Sequence, residues 1–204
     1  MIKNPYPGKF IVLEGIDGAG KSTQADLLEY FLKNTLHRKV HTSAEPTASL
    51  IGGLIRSQIA GDWKTSNECL QLLFSADRLY HLEKEIIPML EQGIDVICDR
   101  YFFSTVAYGA VTTGELDWLI NVNSKILLPD VIFLLKVASQ TGIERIHTNR
   151  HGIKLFDRAD FLSKVEKNME ILAQQFSDIS VVIDGEQSIG KVTKDIQEAL
   201  KARL

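Results

Sequence analysis

The sequence predicts a single α/β domain built on a five-stranded, mostly parallel β-sheet with helices on both faces. Short apolar runs typical of buried strands alternate with segments of helical periodicity, a pattern that indicates crossover connections in a parallel sheet. The length of 204 residues fits one domain at about 150 residues per domain. The five predicted strands are 10–13, 40–43, 94–98, 131–135 and 181–183.

The segments between the strands carry apolar residues one helical turn apart, which predicts helices. The first predicted helix covers 22–33. A longer helix is expected to begin at a capping box, in which the side chains of Thr65 and Glu68 satisfy each other's free backbone donors, and to run to about Pro88. Further helices are expected over 114–125, 164–176 and 188–204.

Composition and charge exclude several classes of protein. The chain has 23 Lys and Arg against 26 Asp and Glu, a net charge of −3, so it lacks the basic surface of a nucleic-acid-binding protein. Hydrophobic residues make up 45% and charged residues 24%, which excludes disordered and collagen-like chains.

The chain also gives no indication of a membrane or secretory role. Its longest aliphatic or aromatic stretch, 131–135, is far shorter than the ~18 residues of a membrane span. Residues 1–7 contain prolines and no apolar run, unlike a secretory signal. Two cysteines, Cys69 and Cys98, are too few for a disulfide framework. We therefore expect a cytoplasmic protein with no membrane partner.

Residues 15–22 match the phosphate-binding P-loop pattern and lie between a predicted strand and a predicted helix. In such a loop, backbone N–H groups and the helix N-terminus face phosphate oxygens. We expect Lys21 to reach the β- and γ-phosphates and Ser22 to bind Mg²⁺. The alternative, a flexible glycine turn, is disfavoured by the flanking strand and helix. The predicted ATP-binding residues are Gly15, Ile16, Asp17, Gly18, Ala19, Gly20, Lys21, Ser22 and Thr23.

The residues after the third predicted strand favour a kinase over other P-loop proteins. The chain has no Asn-Lys-x-Asp run, which a GTPase would use for guanine, and its 94–98 strand ends in Asp99-Arg100 rather than Asp-Glu. Open α/β sheets bind ligands at the carboxyl ends of their strands. We expect Asp99 to hold Mg²⁺ through its water shell and Arg100 to bind a second phosphate, the alternative being a surface salt bridge.

The helix after Thr65 has an aromatic residue and an arginine outside its apolar stripe. Phe74 and Arg78 lie about 40° apart on the opposite face, suited to stacking a base and bonding its edge. The alternative is that Phe74 meets a second core layer and Arg78 is solvated. The apolar stripe, which we expect to face the core, consists of Cys69, Leu72, Leu73, Ala76, Leu79, Tyr80, Ile87 and Leu90.

Two further helical patterns could line a polar ligand. Gly52 and Gly53 leave a bare surface over which Arg56, one turn further on, could extend. Ordinary helix-surface positions are the alternative for both patterns. The polar stripe that follows Arg100 consists of Tyr101, Ser104, Thr105 and Tyr108.

The sequence resembles the thymidylate kinase family of P-loop nucleoside monophosphate kinases over roughly residues 9–176. The matching elements occur in the family's order and spacing. They are Glu-Gly-Ile-Asp-Gly-Ala-Gly-Lys-Ser-Thr at 14–23, Glu-Pro-Thr at 45–47, Phe-Ser-Ala-Asp-Arg at 74–78 and Asp-Arg-Tyr-Phe-Phe-Ser-Thr-Val-Ala-Tyr at 99–108.

The resemblance implies a homodimer in which each chain, 1–204, is one P-loop kinase domain with a mobile lid at about 145–158. The implied reaction transfers the γ-phosphoryl of ATP to dTMP in the presence of Mg²⁺. In the family, either the P-loop or the lid supplies a basic residue. Since nothing basic lies between Gly15 and Gly20, we expect Arg150 of the lid to act in catalysis with Lys21 and Arg100. Arg145 and Arg158 are the alternatives.

The resemblance also assigns the acceptor site. Phe74 would stack on thymine and Arg78 would bond its edge, while Thr105 would face the base or its phosphate. Arg56 and Arg100 would hold the acceptor phosphate. The remaining acceptor residues are Asp17 at the sugar 3′-hydroxyl, Tyr108 against a ribose 2′-hydroxyl, and Glu45.

The chain departs from the family at two positions. Many bacterial relatives have Arg before Glu-Pro, where this chain has Ala44, and Gln after Ala-Tyr, where it has Gly109. Two other functions remain open from the sequence: a kinase for another deoxynucleotide or a deoxynucleoside, and a nucleotide-binding regulatory module without transfer activity.

Overall fold

A computed structural model describes residues 1–149 and 158–203. Its main sheet is parallel and has five strands in the order β3-β4-β2-β6-β7, which confirms the predicted sheet. A second sheet pairs the two-residue strands β1 and β5 and was not predicted. The strands are β1 (Ile2–Lys3), β2 (Phe10–Glu14), β3 (Val40–Ala44), β4 (Asp95–Asp99), β5 (Leu127–Leu128), β6 (Val131–Lys136) and β7 (Ser180–Asp184).

Helices connect the strands and flank the sheet. Among them, α1 packs on α9 and on the sheet, and α5 packs on α3, α6 and α8. The helices are α1 (Lys21–Asn34), α2 (Leu50–Ala60), α3 (Asn67–His81), a π-helical turn (Leu82–Ile86), α4 (Ile87–Glu91), α5 (Phe102–Thr113), α6 (Leu116–Val122), α7 (Ser139–Asn149), α8 (Ala159–Gln175) and α9 (Ile189–Lys201).

The central strand β2 determines where the functional residues meet. All five of its residues are buried, since β4 and β6 pair with it on either side. In the register, Leu13 lies beside Asp99. Because these strands are parallel, the P-loop after β2 and Arg100 after β4 emerge at the same edge of the sheet.

Several helix boundaries differ from those predicted. The helix expected over 114–125 is shorter, Leu116–Val122, and α8 begins at Ala159 rather than at 164. Helix α7 was not predicted. The cap of α3 is also one residue later than expected, because the Ser66 hydroxyl accepts the N–H of Cys69 and so takes the place predicted for Thr65.

The prediction that the apolar stripe faces the core was confirmed at Leu90 of α4, which is fully buried, but was wrong within α3. Leu72 is 49% exposed, Leu79 45% and Tyr80 43%. The opposite, mostly polar face is buried instead, and its residues Asp77, Arg78 and His81 bond to polar groups of neighbouring elements. The buried side chains of α3 are Leu70, Gln71, Ser75, Asp77, Arg78 and His81.

Across 1–149 and 158–203, the helices fall short of the length and apolar character that crossing a lipid bilayer requires.

Candidate active site

The P-loop has the conformation of a phosphate-binding loop. It leaves β2 at Glu14 and ends at Gly20, the N-cap of α1. Gly18 has a φ of +79°, and a Cβ there would lie 2.2 Å from the carbonyl oxygen of Gly142, so only glycine fits. The Lys21 ammonium returns over the loop and donates to the carbonyl of Ile16 at 2.8 Å. The loop therefore holds a cation within a turn of backbone amides at a helix N-terminus.

Ser22 and Asp99 form the pair of oxygen ligands predicted for a metal ion. The Ser22 hydroxyl donates to Asp99 Oδ2 at 2.6 Å. Asp99 Oδ1 is buried and has no hydrogen-bond partner among the described residues. No group of three or more His, Cys, Asp or Glu side chains suited to a metal occurs in the described parts of the chain. This donor set fits Mg²⁺, which takes few protein ligands and completes its shell with phosphate and water.

Arg100 links the P-loop to helix α5. Its guanidinium donates to Asp17 Oδ1 at 2.8 Å and to the Ser104 hydroxyl at 2.9 Å. Burial alone would lower the pKa of Arg100, but the nearby carboxylates, Asp17 first, raise it above its ordinary value. The Asp17 carboxylate also accepts the Tyr108 hydroxyl at 3.0 Å. Arg100 therefore stays charged at the junction of loop and helix.

The buried carboxylate of Glu14 caps the N-terminus of α5. It accepts the backbone N–H groups of Tyr101 at 2.8 Å and Ser104 at 3.1 Å, and the Ser104 hydroxyl at 2.5 Å. Burial raises the pKa of Glu14, although the hydrogen bonds from Ser104 oppose this. Because Arg100 adopts a left-handed φ of +72°, it needs fixed residues on both sides, and Glu14 fixes those that follow it.

A cavity of about 390 Å³ opens beside this junction. Its lining includes Phe74 from α3, Tyr101 immediately before α5, and Ser104 from α5. The fold therefore brings together residues that lie far apart in the sequence. The eight predicted acceptor residues all line the cavity: Asp17, Glu45, Arg56, Phe74, Arg78, Arg100, Thr105 and Tyr108.

Arg78 is buried in the cavity wall, which excludes the alternative that it is solvated. Only 1% of it is exposed. Nη1 donates to Asn123 at 2.7 Å, and Nη2 donates to Glu45 at 2.6 Å and to Thr105 at 2.8 Å. The guanidinium carbon lies 4.9 Å from the centre of the Tyr101 ring. Its two terminal nitrogens are thus bound to protein, and Nε has no partner among the described residues.

Arg56 reaches the cavity from α2 and is exposed. Its Nη1 donates to the carbonyls of Pro46 and Thr47. Thr47 is itself held by the buried Asp77, whose carboxylate accepts the Thr47 N–H at 2.7 Å and hydroxyl at 2.6 Å. Asp77 therefore fixes the loop on which Arg56 rests.

Of the arginines considered for the lid, Arg150 lies outside the described residues. Arg145 donates to the carbonyl of Gly185 at 3.2 and 3.1 Å. Arg158 pairs with Asp160 at 3.0 Å and its side chain is 73% exposed. Neither Arg145 nor Arg158 lines the cavity.

Sequence reasoning missed several polar residues of the site. Gln71 lines the cavity, and Asp77 supports it from behind. Both lie on the buried face of α3, where the spacing of Gln71, Phe74, Ser75 and Arg78 by one helical turn could have indicated them. Asn123 follows α6, and no pattern in its surroundings marks it.

Together, a P-loop with a buried lysine, a carboxylate–hydroxyl pair for a metal ion and a second, arginine-lined cavity define a P-loop phosphotransferase. Comparisons identify the family. The family model for thymidylate kinase matches residues 13–196, and this chain belongs to the thymidylate kinase family.

Individual relatives bear names that agree with this family assignment. The probable thymidylate kinase of Pyrococcus horikoshii is 41% identical over 97% of this chain and 98% of its own. The thymidylate kinase of Plasmodium falciparum is 35% identical over 100% of this chain and 95% of its own. The solved structure of thymidylate kinase from Candida albicans has the same fold, with a TM-score of 0.83, 24% identity, and coverage of 96% of this chain and 92% of that one.

The capping role of Glu14 predicts that Glu14→Ala affects both stability and activity. Loss of the buried acceptor leaves two backbone donors unpaired, so the free energy of unfolding falls by about 1–3 kcal/mol. Phosphotransfer falls as well, by about tenfold or more, because Arg100 is no longer held in place. Urea denaturation and initial-rate assays measure the two effects.

Ser66→Ala is the matched control for Glu14→Ala, since it removes the cap of a helix whose N-terminus is not part of the site. It lowers the free energy of unfolding by about 1 kcal/mol and leaves activity unchanged. Equal activity in Glu14→Ala and Ser66→Ala would contradict the positioning role of Glu14.

The lowered pKa of Lys21 predicts that ATP binding depends on pH. Burial, and then the charge of Arg100, lower the pKa of Lys21 from 10.5 to about 8. Phosphate binds the protonated form, which disappears as the pH rises through this pKa. ATP affinity of the free protein therefore falls about tenfold between pH 7 and pH 9, as measured by calorimetry. In Lys21→Arg the cation persists and the profile is flat; a flat wild-type profile would refute this assignment.

Proposed function

We propose that this protein transfers the γ-phosphoryl group of ATP to dTMP, giving dTDP and ADP. One observation carries the proposal: the P-loop cation Lys21 and the arginines Arg56 and Arg100 lie at one edge of the sheet, and the latter two share a cavity with the aromatic ring of Phe74. Two anionic ligands could bind there side by side, with the base of one against an aromatic residue. The names of the relatives agree with this reaction.

Residues 15–23 hold the ATP phosphates in this proposal, with Lys21 at the β- and γ-phosphates. Ser22 and Asp99 hold Mg²⁺, and the unpartnered Oδ1 of Asp99 supports this. When bound, Mg²⁺ neutralises charge on the phosphates. Backbone amides of the loop orient ATP, the phosphoryl donor, and the fold fixes the positions of these amides before ATP binds.

The acceptor occupies the cavity. Phe74 stacks on thymine, Thr105 and the free Nε of Arg78 face the base, and Glu45 orients Arg78. Arg56 and Arg100 bind the acceptor phosphate. Asp17 meets the 3′-hydroxyl of the sugar, and Tyr108, which hydrogen-bonds to Asp17, leaves no room for a ribose 2′-hydroxyl.

Transfer then needs positioning and charge neutralisation rather than a general base, because the attacking phosphate oxygen is already ionised. Lys21 and Arg100 cancel the repulsion between the two anions and hold them in line. The proposal assigns a further positive charge acting on the transferred group to Arg150, in the predicted lid segment at about 145–158 of the single domain 1–204; residues 150–157 of that segment lie outside the described residues. Closure of the lid excludes water, which limits hydrolysis of ATP.

The proposal includes a homodimer in the cytoplasm. The apolar stripe of α3, exposed at Leu72, Leu79 and Tyr80, suits a contact with a second copy, because exposed apolar patches commonly mark such interfaces. Cys69 and Cys98 are free thiols, as is usual in reducing compartments.

An acceptor panel tests the reaction. With ATP and Mg²⁺, kcat/KM for dTMP exceeds the values for dGMP, CMP and UMP by about tenfold or more. The reason is that the cavity selects a small base and a deoxyribose sugar. A coupled assay for ADP measures the rates, and samples without acceptor measure background hydrolysis. Equal rates for all acceptors, or a preference for the purine, would refute the assignment. Calorimetry that detects ATP binding but no acceptor binding would instead indicate a regulatory module.

Arg150→Ala tests the lid. We expect kcat to fall about 100- to 1000-fold, while KM for dTMP changes by less than about threefold, because the residue acts mainly on the transition state. Arg203→Ala is the matched control, since Arg203 is an exposed arginine outside the lid segment and its loss leaves kcat unchanged. An unchanged kcat in Arg150→Ala would move the role to Arg145 or Arg158.

A further inference from the structure

We infer that Gln71 is a specificity residue that selects an imide base, thymine or uracil, in the acceptor cavity; this rests on the proposed function. Gln71 lies on α3 one turn before Phe74 and two turns before Arg78. All three line the same cavity. The amide is therefore placed among the groups that face the acceptor base.

The amide oxygen of Gln71 is buried and has no hydrogen-bond partner among the described residues. The residue as a whole is 2% exposed. Burying an unpaired amide oxygen is unfavourable. A ligand in the cavity that offers an N–H group would remove this cost.

The facing helix leaves space for this amide. Gly109 of α5 is buried, and its φ is not positive, so its backbone does not require glycine. A Cβ at position 109 would lie 2.8 Å from Cδ and Oε1 of Gln71, and 2.8 Å from Cδ1 of Leu119. Glycine destabilises a helix relative to alanine. At position 109 the lack of a side chain leaves the space that Gln71 occupies.

The chemistry of the free groups identifies the base. Among the described residues, the buried unpaired groups in the cavity wall are an acceptor, Gln71 Oε1, and a donor, Arg78 Nε. Thymine and uracil present an N3–H donor flanked by carbonyl acceptors, which matches this pair. Cytosine has an unprotonated N3 and an amino group at C4, so it would place an acceptor against Oε1. The amide therefore selects imide bases against cytosine.

Steady-state kinetics with dTMP and 5-methyl-dCMP test the inference, since the two differ only at the hydrogen-bonding edge. In Gln71→Leu, KM for dTMP rises about 3- to 10-fold, the value of one net hydrogen bond, and kcat stays within about twofold. The preference for dTMP over 5-methyl-dCMP falls by a similar factor. Gln175→Leu, on the exposed end of α8, is the matched control and changes neither value.

An unchanged preference in Gln71→Leu would overturn the inference while leaving the proposed function intact. Failure of the wild-type protein to phosphorylate dTMP would instead overturn the proposed function.

A double-mutant cycle gives a second, independent measurement. Gly109→Ala displaces the Gln71 amide and raises KM for dTMP, whereas in a Gln71→Ala background the same change adds less than about twofold, because the displaced group is gone. Additive effects in the cycle would also overturn the inference.

Discussion

The buried carboxylate of Glu14 is the interaction on which the rest of the site depends. It is the last residue of β2 and binds the first turn of α5 through Tyr101 and Ser104. Between the two lies Arg100, in a left-handed conformation that a non-glycine side chain rarely adopts. Removing Glu14 would release the first turn of the helix that carries Ser104, Thr105 and Tyr108, so one hydrogen-bonded carboxylate holds both Arg100 and one wall of the cavity in place.

The acceptor cavity needs polar groups buried in fixed positions, which explains why α3 buries its polar face. Glu45 lies between Arg78 at 2.6 Å and His81 at 3.2 Å. A buried ion pair such as that of Glu45 and Arg78 contributes little net stability, because desolvation offsets its attraction. What it provides is a defined geometry: Arg78 cannot rotate, and its one unpaired nitrogen is held in one place. Because α3 buries its polar face, its apolar residues Leu72, Leu79 and Tyr80 are left on the surface.

The parts of the site predicted from sequence are those fixed by local pattern. The P-loop, Asp99-Arg100 and the polar stripe of α5 each depend on residues a few positions apart and on the parallel sheet, so their placement at one edge followed from the strand pattern. The orientation of α3 could not be predicted in this way, since apolar periodicity assumes that the apolar face is buried. Gln71 shares the helical spacing of Phe74 and Arg78, but its burial follows from the packing of α3 on α5. Asn123 acquires its role from a helix contact that no local pattern records, and the cap at Ser66 differs from that predicted by one residue, as helix ends often do.

The carboxylate of Asp17 allows Lys21 and Arg100 to be charged at the same time before any nucleotide binds. Arg100 and the Lys21 ammonium are close enough that Arg100 lowers the pKa of Lys21, while Asp17 raises it. Without this carboxylate, both cations would repel each other across a loop of backbone N–H groups that are themselves partly positive. Asp17 lies in the P-loop yet bonds Arg100 and Tyr108 on the acceptor side. The Asp17–Arg100 ion pair thus balances charge and holds the cavity residues against the P-loop, which places the loop and the cavity side by side.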